Sequence, residues 1–175
     1  ARIASDLMEN TLYNLTVSIG QVAFDAAPED FERWHERVMK LPFTVAELSK
    51  PPHQRNPNYD YFRIQSLARY HQIQGRFERA AQFFAAYLDV EITCVTPEGL
   101  EGFEDIFRPF TRDETMEICR DYRDLARALI AIGTPEALAD AHLVYARARQ
   151  FPDTKGNGFF VRQMDEDFGR VAAKI

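Results

Sequence analysis

Apolar residues recur at intervals of three and four along most of the chain, and no segment alternates apolar and polar positions convincingly enough to read as a strand. Met8, Leu12, Leu15, Ile19 and Val22 form the first such stripe behind Asp6 and Glu9, the two partners of a capping box, and predict a helix. Pro28, Glu29 and Asp30 supply the first-turn proline and N-terminal acids of a second helix, with Phe31, Trp34, Val38 and Leu41 as its stripe and Pro42 as its stop. Thr44 and Glu47 mark at most a short turn before Lys50–Asn58, whose prolines and asparagines predict the longest loop. A third helix runs from Tyr59 to Gln74 and ends at Gly75, placed as a left-handed cap. Phe77, Ala80, Ala81, Phe84 and Leu88 line the next.

Val90–Val95 is rich in β-branched residues, but a lone strand has no partner, so it reads as a connector. Thr96, Pro97 and Glu98 open a short helix carrying Leu100, Phe103 and Ile106, which Pro109 closes. Thr111 and Glu114 make another capping box, ahead of Ile118, Tyr122, Leu125, Ala126 and Leu129 and a stop at Gly133. Thr134, Pro135 and Glu136 start a further helix with Leu138, Ala141, Tyr145 and Ala148 inward. After a loop at Asp153–Gly158, Phe160, Met164, Phe168 and Val171 trace a last one. The pattern predicts one all-α domain over residues 1–175, an irregular stack of eight or nine helices. They pair into hairpins at about 6–41, 59–90 and 111–150, with a capping helix at about 159–173.

Two hairpins repeat one another. Leu67, Ala68, Gly75, Phe77, Ala80 and Phe84 in the central one correspond to Leu125, Ala126, Gly133, Ala141, Tyr145 and Ala148 in the later one, with three extra residues in its turn. Ile19 and Gly20 outline a third, eroded copy. These spacings resemble the tetratricopeptide repeat, in which a large–small pair on the first helix meets a small residue and an aromatic on the second. Gly75 and Gly133 lie 58 residues apart, against a family period of about 34, so the copies are not simply tandem. The resemblance implies a helical protein-binding module whose first helices line a concave side, where basic residues hold an acidic peptide or a terminal carboxylate. Arg69, Arg123 and Arg127 occupy the matching face.

Charge sharpens that expectation. The chain carries a net charge of -6, which disfavours a general binder of nucleic-acid backbones. The total hides blocks of opposite sign, with residues 33–87 at +5 between acidic stretches of -5 (1–32) and -7 (88–117). Within the basic block Gln65, Arg69, Gln72 and Arg76 share one helix face, and outside it, on the helix before Gly133, Arg120, Arg123 and Arg127 share another. Arginine suits carboxylate recognition because its planar fork donates two parallel hydrogen bonds. The competing reading is a solvated face with pairs inside one helix, Glu117 and Asp124 being within reach of Arg120 and Arg127. The abundance of arginine among the basic residues fits the coding bias of a GC-rich bacterium, and 14 Phe with 7 Tyr leave aromatic surface for a partner or a second copy, a homodimer included.

Signals for chemistry are sparse. Two cysteines, Cys94 and Cys119, are too few for a disulfide framework and point to a reducing, cytoplasmic setting. The absence of an initiating Met fits a processed or excised chain, which keeps export open. Glu32 and His35 have the spacing of a di-iron ligand pair, but no second copy exists. His35 therefore reads as a surface or boundary residue, and no metal or cofactor is expected. His71 and His142 fall on or beside apolar stripes as core histidines. No nucleophile elbow, phosphate loop or zinc-protease string occurs. The expected function is thus a protein-interaction module using Gln65, Arg69, Gln72, Arg76, Arg120, Arg123 and Arg127. The alternative is a small all-α ligand-binding domain or enzyme, with a pocket rimmed by Tyr59, Tyr61 and His71, together with His142.

Overall fold

The computed structural model describes residues 28–51, 54, 57–95, 116–150 and 157–172. Among them lie seven helices and no strand: α1 (Pro28–Met39), α2 (Pro42–Leu48), α3 (Pro57–Ile73), α4 (Phe77–Leu88), α5 (Met116–Ile132), α6 (Pro135–Ala148) and α7 (Asn157–Ala172). The expected helix at 6–22, the short helix after Pro97 and the capping box of Thr111 and Glu114 lie outside the described residues. None of the described helices is long and apolar enough to cross a membrane.

Four prolines open helices, Pro28 and Pro135 as the sequence pattern predicts and Pro42 and Pro57 against it. Pro42 starts α2 where the sequence pattern placed only a stop, and Pro57 starts α3 inside the expected loop. Both follow from one property of proline: its fixed φ suits the first helical turn, where its missing N–H has no intrahelical partner to lose. Pro135 does the same for α6, beside Thr134, whose hydroxyl accepts from the N–H of Ala137 at 3.2 Å.

The hairpin turns are set by backbone handedness. Gly75 and Gly133 take φ of 69° and 75°, a region that costs a side chain roughly 1–2 kcal/mol. At Gly75 the chain closes a six-to-one bond, the N–H of Arg76 donating to the carbonyl of His71 at 2.9 Å. Asp89 ends α4 in the same left-handed conformation, φ 53°, with Val90 N–H on the carbonyl of Ala85 at 2.9 Å. A short polar side chain tolerates that region better than a branched one. Beyond it Val90–Val95 runs as irregular connector, not strand.

α3 pairs with α4, α5 with α6, and α4 packs on α5; α1 lies on α3, and α7 lies on α5 and more lightly on α6. Small residues make this closeness possible. Ala68, Ala80, Ala81, Ala137, Ala141 and Ala148 are wholly buried where the helices approach, and Phe84, Leu125, Leu129 and Met164 fill the spaces beside them. Each large apolar side chain buried this way contributes about 1.5–3 kcal/mol. α5 is the centre of the stack: residues 121–126 are buried without a break, which a helix packed on one face alone never shows.

Candidate functional site

Six consecutive buried residues on α5 include Asp121, Arg123 and Asp124, so the predicted basic face meets carboxylates before it meets solvent. Gln65 Nε2 donates to both oxygens of Asp121 at 2.8 Å, and Arg69 Nη2 reaches Asp121 Oδ1 at 2.9 Å. Arg69 Nε donates to Asp124 Oδ2 at 3.2 Å, while Arg123 approaches Asp124 Oδ1 through Nε at 2.9 Å and Nη2 at 2.6 Å. Arg123 also donates through Nη1 to Gln163 Oε1 of α7 at 2.7 Å, with its guanidinium 5.0 Å from the ring centroid of Phe160. Gln72 Nε2 donates to the backbone carbonyl of Asp124 at 3.3 Å.

This corrects the sequence expectation for three of its residues. Gln65, Arg69 and Arg123 were expected on an accessible concave face; they are 6%, 2% and 2% exposed, on a seam joining α3, α5 and α7. The reason is spacing: Gln65, Arg69 and Gln72 on α3 recur at the same three- and four-residue intervals as Asp121 and Asp124 on α5, so two facing stripes satisfy each other. Asp124 bonds Arg69 across the interface and its neighbour Arg123, rather than Arg127 along the helix. Arg127 instead donates to Asp167 of α7 at 2.6 Å. Two cations and two anions enclosed together balance in charge, the condition under which such groups tolerate burial.

Arg76 is exposed, with its guanidinium 5.5 Å from the ring centroid of Tyr70. Arg120 is half-buried beside Phe160, at 5.3 Å from its ring centroid. Arg79, which the sequence pattern did not single out, lies over Phe83 at 4.7 Å and donates to Gln82 at 3.1 Å. Arg76 and Arg79 border a cleft of about 470 Å³ formed by the α3–α4 turn, the first turn of α4 and the end of α5. Phe77, Glu78, Ala131 and Ile132 complete its lining. The N-cap of α4, Arg76, makes no side-chain capping bond, so the partial positive charge of that helix start adds to the two arginines, offset in part by Glu78 of the first turn. An apolar wall of Phe77 and Ile132 beside cationic groups suits an anionic group carried on an apolar body.

Of the expected tyrosine and histidine pocket, the described side chains are those of the two histidines, and each stacks on a different helix. Tyr59 and Tyr61 fall in the first turns of α3, and their side chains lie outside the described residues. His71 stacks on Phe83 of α4 at 5.5 Å, nearly parallel at 5°, whereas His142 is exposed and stacks on Phe168 of α7 at 4.6 Å. His142 is therefore a surface residue and not a core one, and His35 is the reverse: 7% exposed, between the rings of Phe31 and Tyr70. Burial, with Arg76, Arg79 and His35 nearby, lowers the pKa of His71 to about 4. It stays neutral near pH 7.

The setting of Cys94 disfavours its thiolate. Burial and its bond to Asp140 push the thiol up to about 12, far from the thiolate that reactivity requires. Asp140, buried on α6, has a structural task that the sequence pattern did not reveal: it accepts from the N–H of Thr93 at 2.7 Å and of Cys94 at 2.9 Å, pinning the connector to the second hairpin. Cys119 is fully buried in α5. Among the described residues no three His, Cys, Asp or Glu side chains converge on a point where they would hold a metal ion. Comparison of the chain with protein-family models, with curated proteins and with solved structures yields no match.

Proposed function

We propose that this chain is a protein-interaction module, a short stack of helical hairpins resembling tetratricopeptide repeats, and that it docks an acidic, partly apolar segment of a partner protein at the cleft beside Arg76 and Arg79. The resemblance is supported by the positions that carry it: Ala68, Ala80, Phe84, Leu125, Ala126, Ala141 and Ala148 are buried where the helices meet, and Gly75 and Gly133 turn the chain with positive φ. The observation that carries the functional reading is the cleft itself, where Arg76 and Arg79 outnumber Glu78 beside a helix start and an apolar wall. Arg76 remains from the face expected from sequence, Arg79 joins it, and the enclosed Gln65, Arg69 and Arg123 leave it.

Panning a library of short displayed peptides on the immobilised chain tests this reading. Enrichment of acidic peptides bearing an apolar residue is expected, with binding by fluorescence anisotropy weakened about tenfold or more in the double variant Arg76→Glu, Arg79→Glu, a loss of at least about 1.4 kcal/mol. Enrichment without acidic character, or binding indifferent to the double variant, contradicts it. The cleft volume also lies in the range of small-molecule sites. A metabolite that raises the melting temperature of the wild type but not of the double variant would replace the partner segment with a small anionic ligand.

A further inference from the structure

The α1–α3 contact is made of rings. Phe31 and His35 of α1 face Tyr70 of α3, with His35 at 6.1 Å from Phe31 and 5.0 Å from Tyr70, both pairs within 24° of parallel. Tyr70 adjoins His71 at 6.0 Å, and His71 lies against Phe83, so one continuous aromatic ladder joins α1, α3 and α4. Its outer members are cations: Arg76 over Tyr70 and Arg79 over Phe83. Within the ladder two imidazole nitrogens, His35 Nδ1 and His71 Nδ1, are buried without a hydrogen-bond partner.

We infer that His35 is an acid-sensitive latch: neutral, it lets α1 dock on α3 through Tyr70, and its protonation releases α1 while the α3–α7 stack stays folded. An imidazolium there needs a partner for each N–H, and the site offers none to Nδ1. The charged groups nearby act in opposite directions. From its own helix Glu36 favours the charged form; α3 presents Tyr70 and His71, and behind His71 stand Arg76 and Arg79. Among the described side chains of α2, the other helix against α1, the buried polar one is Thr44, which carries no charge. Burial outweighs Glu36 and lowers His35 to about 4 from an ordinary 6.5. A histidine whose docked pKa is depressed favours the docked state fully above its free value and loses that preference as pH falls. Docking therefore weakens progressively between about pH 6.5 and pH 4, by on the order of 100-fold in the equilibrium constant. The separability of α1 rests on the packing of the described residues: among them α1 lies on α3 and α2, whereas α3–α7 contain the main core.

Trp34, the one tryptophan, sits in α1 with its ring 5.2 Å from Phe31 and reports the docking of that helix. Its emission is followed from pH 7.5 to pH 4, with the helical circular-dichroism signal recorded on the same samples of the whole chain. The latch predicts a reversible red shift centred between pH 4 and 6.5, with most of the dichroism retained. The shift is absent in His35→Phe, which keeps the stack, and in His35→Gln, which keeps a polar neutral side chain. A wild-type emission that does not move, a shift that tracks complete loss of helix, or the same shift in whichever variant folds overturns the inference.

Discussion

Arg69 on α3 and Asp121 on α5 meet at 2.9 Å with their side chains 3% and 0% exposed, so a contact between two helices that are 52 positions apart in sequence is made by charge in the middle of the stack. Asp121 also takes both Gln65 bonds, and Arg69 continues to Asp124. Such an arrangement fixes register, because sliding α3 by one turn would strand two enclosed ions.

Asp121→Ala is therefore expected to destabilise the fold by about 3–5 kcal/mol, the usual cost of leaving a buried guanidinium without its partner. Arg69→Met combined with Asp121→Leu removes both charges and is expected to recover most of that loss. Urea denaturation of the three proteins measures both effects. A single variant within about 1 kcal/mol of wild type would show the seam to be hydrated.

Thr134 and Gly133 form the turn between α5 and α6, and each has a separable role. Thr134→Ala loses the bond to Ala137 N–H and should cost about 1 kcal/mol. Gly133→Ala places a Cβ 3.8 Å from the carbonyl oxygen of Ile130, an ordinary contact, so its expected cost is the left-handed strain alone, about 1–2 kcal/mol. Thermal unfolding of both variants and of the pair, with the costs adding, is the check.

Cys94 should resist alkylation. With its thiol at about 12, iodoacetamide at pH 8 is expected to label it at least about 100-fold more slowly than the same cysteine in the urea-unfolded chain. Asp140→Asn should raise the rate by removing the charge that opposes the thiolate. Mass spectrometry of quenched samples resolves Cys94 from Cys119. Equal rates in folded and unfolded chain would contradict the placement.

His71 adds its own pH dependence. Its folded pKa, about 4, lies below the ordinary 6.5, so the unfolded chain binds the extra proton and stability declines as pH falls from about 6.5 towards 4. The urea midpoint of the wild type should drop more between pH 7 and pH 5 than that of His71→Phe. The same drop in both would remove His71 from the account.

Helix positions were largely legible because proline, glycine and threonine mark boundaries through local backbone chemistry: Gly75, Gly133, Thr134 and Pro135 act at the places their types require. The starts at Pro42, which the pattern marks as a helix stop, and at Pro57, which it places in a loop, are hidden because a proline that ends one helix and one that begins the next look the same until the following turn is seen. The candidate site was less legible. A face of Gln65, Arg69 and Gln72 has the same spacing whether it meets water or a second helix, and Asp121 and Asp124 three residues apart were the signal that it meets a helix. His35 and His142 exchanged roles because each sits at the edge of a stripe, where the neighbouring helix decides burial.

Under the proposed function, the enclosure of Arg69 and Arg123 leaves Arg76 and Arg79 as the docking cations, and anisotropy with a fluorescent acidic peptide selected on the wild-type chain tests that proposal most directly. The account predicts that Arg76→Glu with Arg79→Glu weakens binding by about tenfold or more, while Arg120→Glu with Arg127→Glu leaves it within about twofold. Loss of binding in the second pair and retention in the first would contradict it.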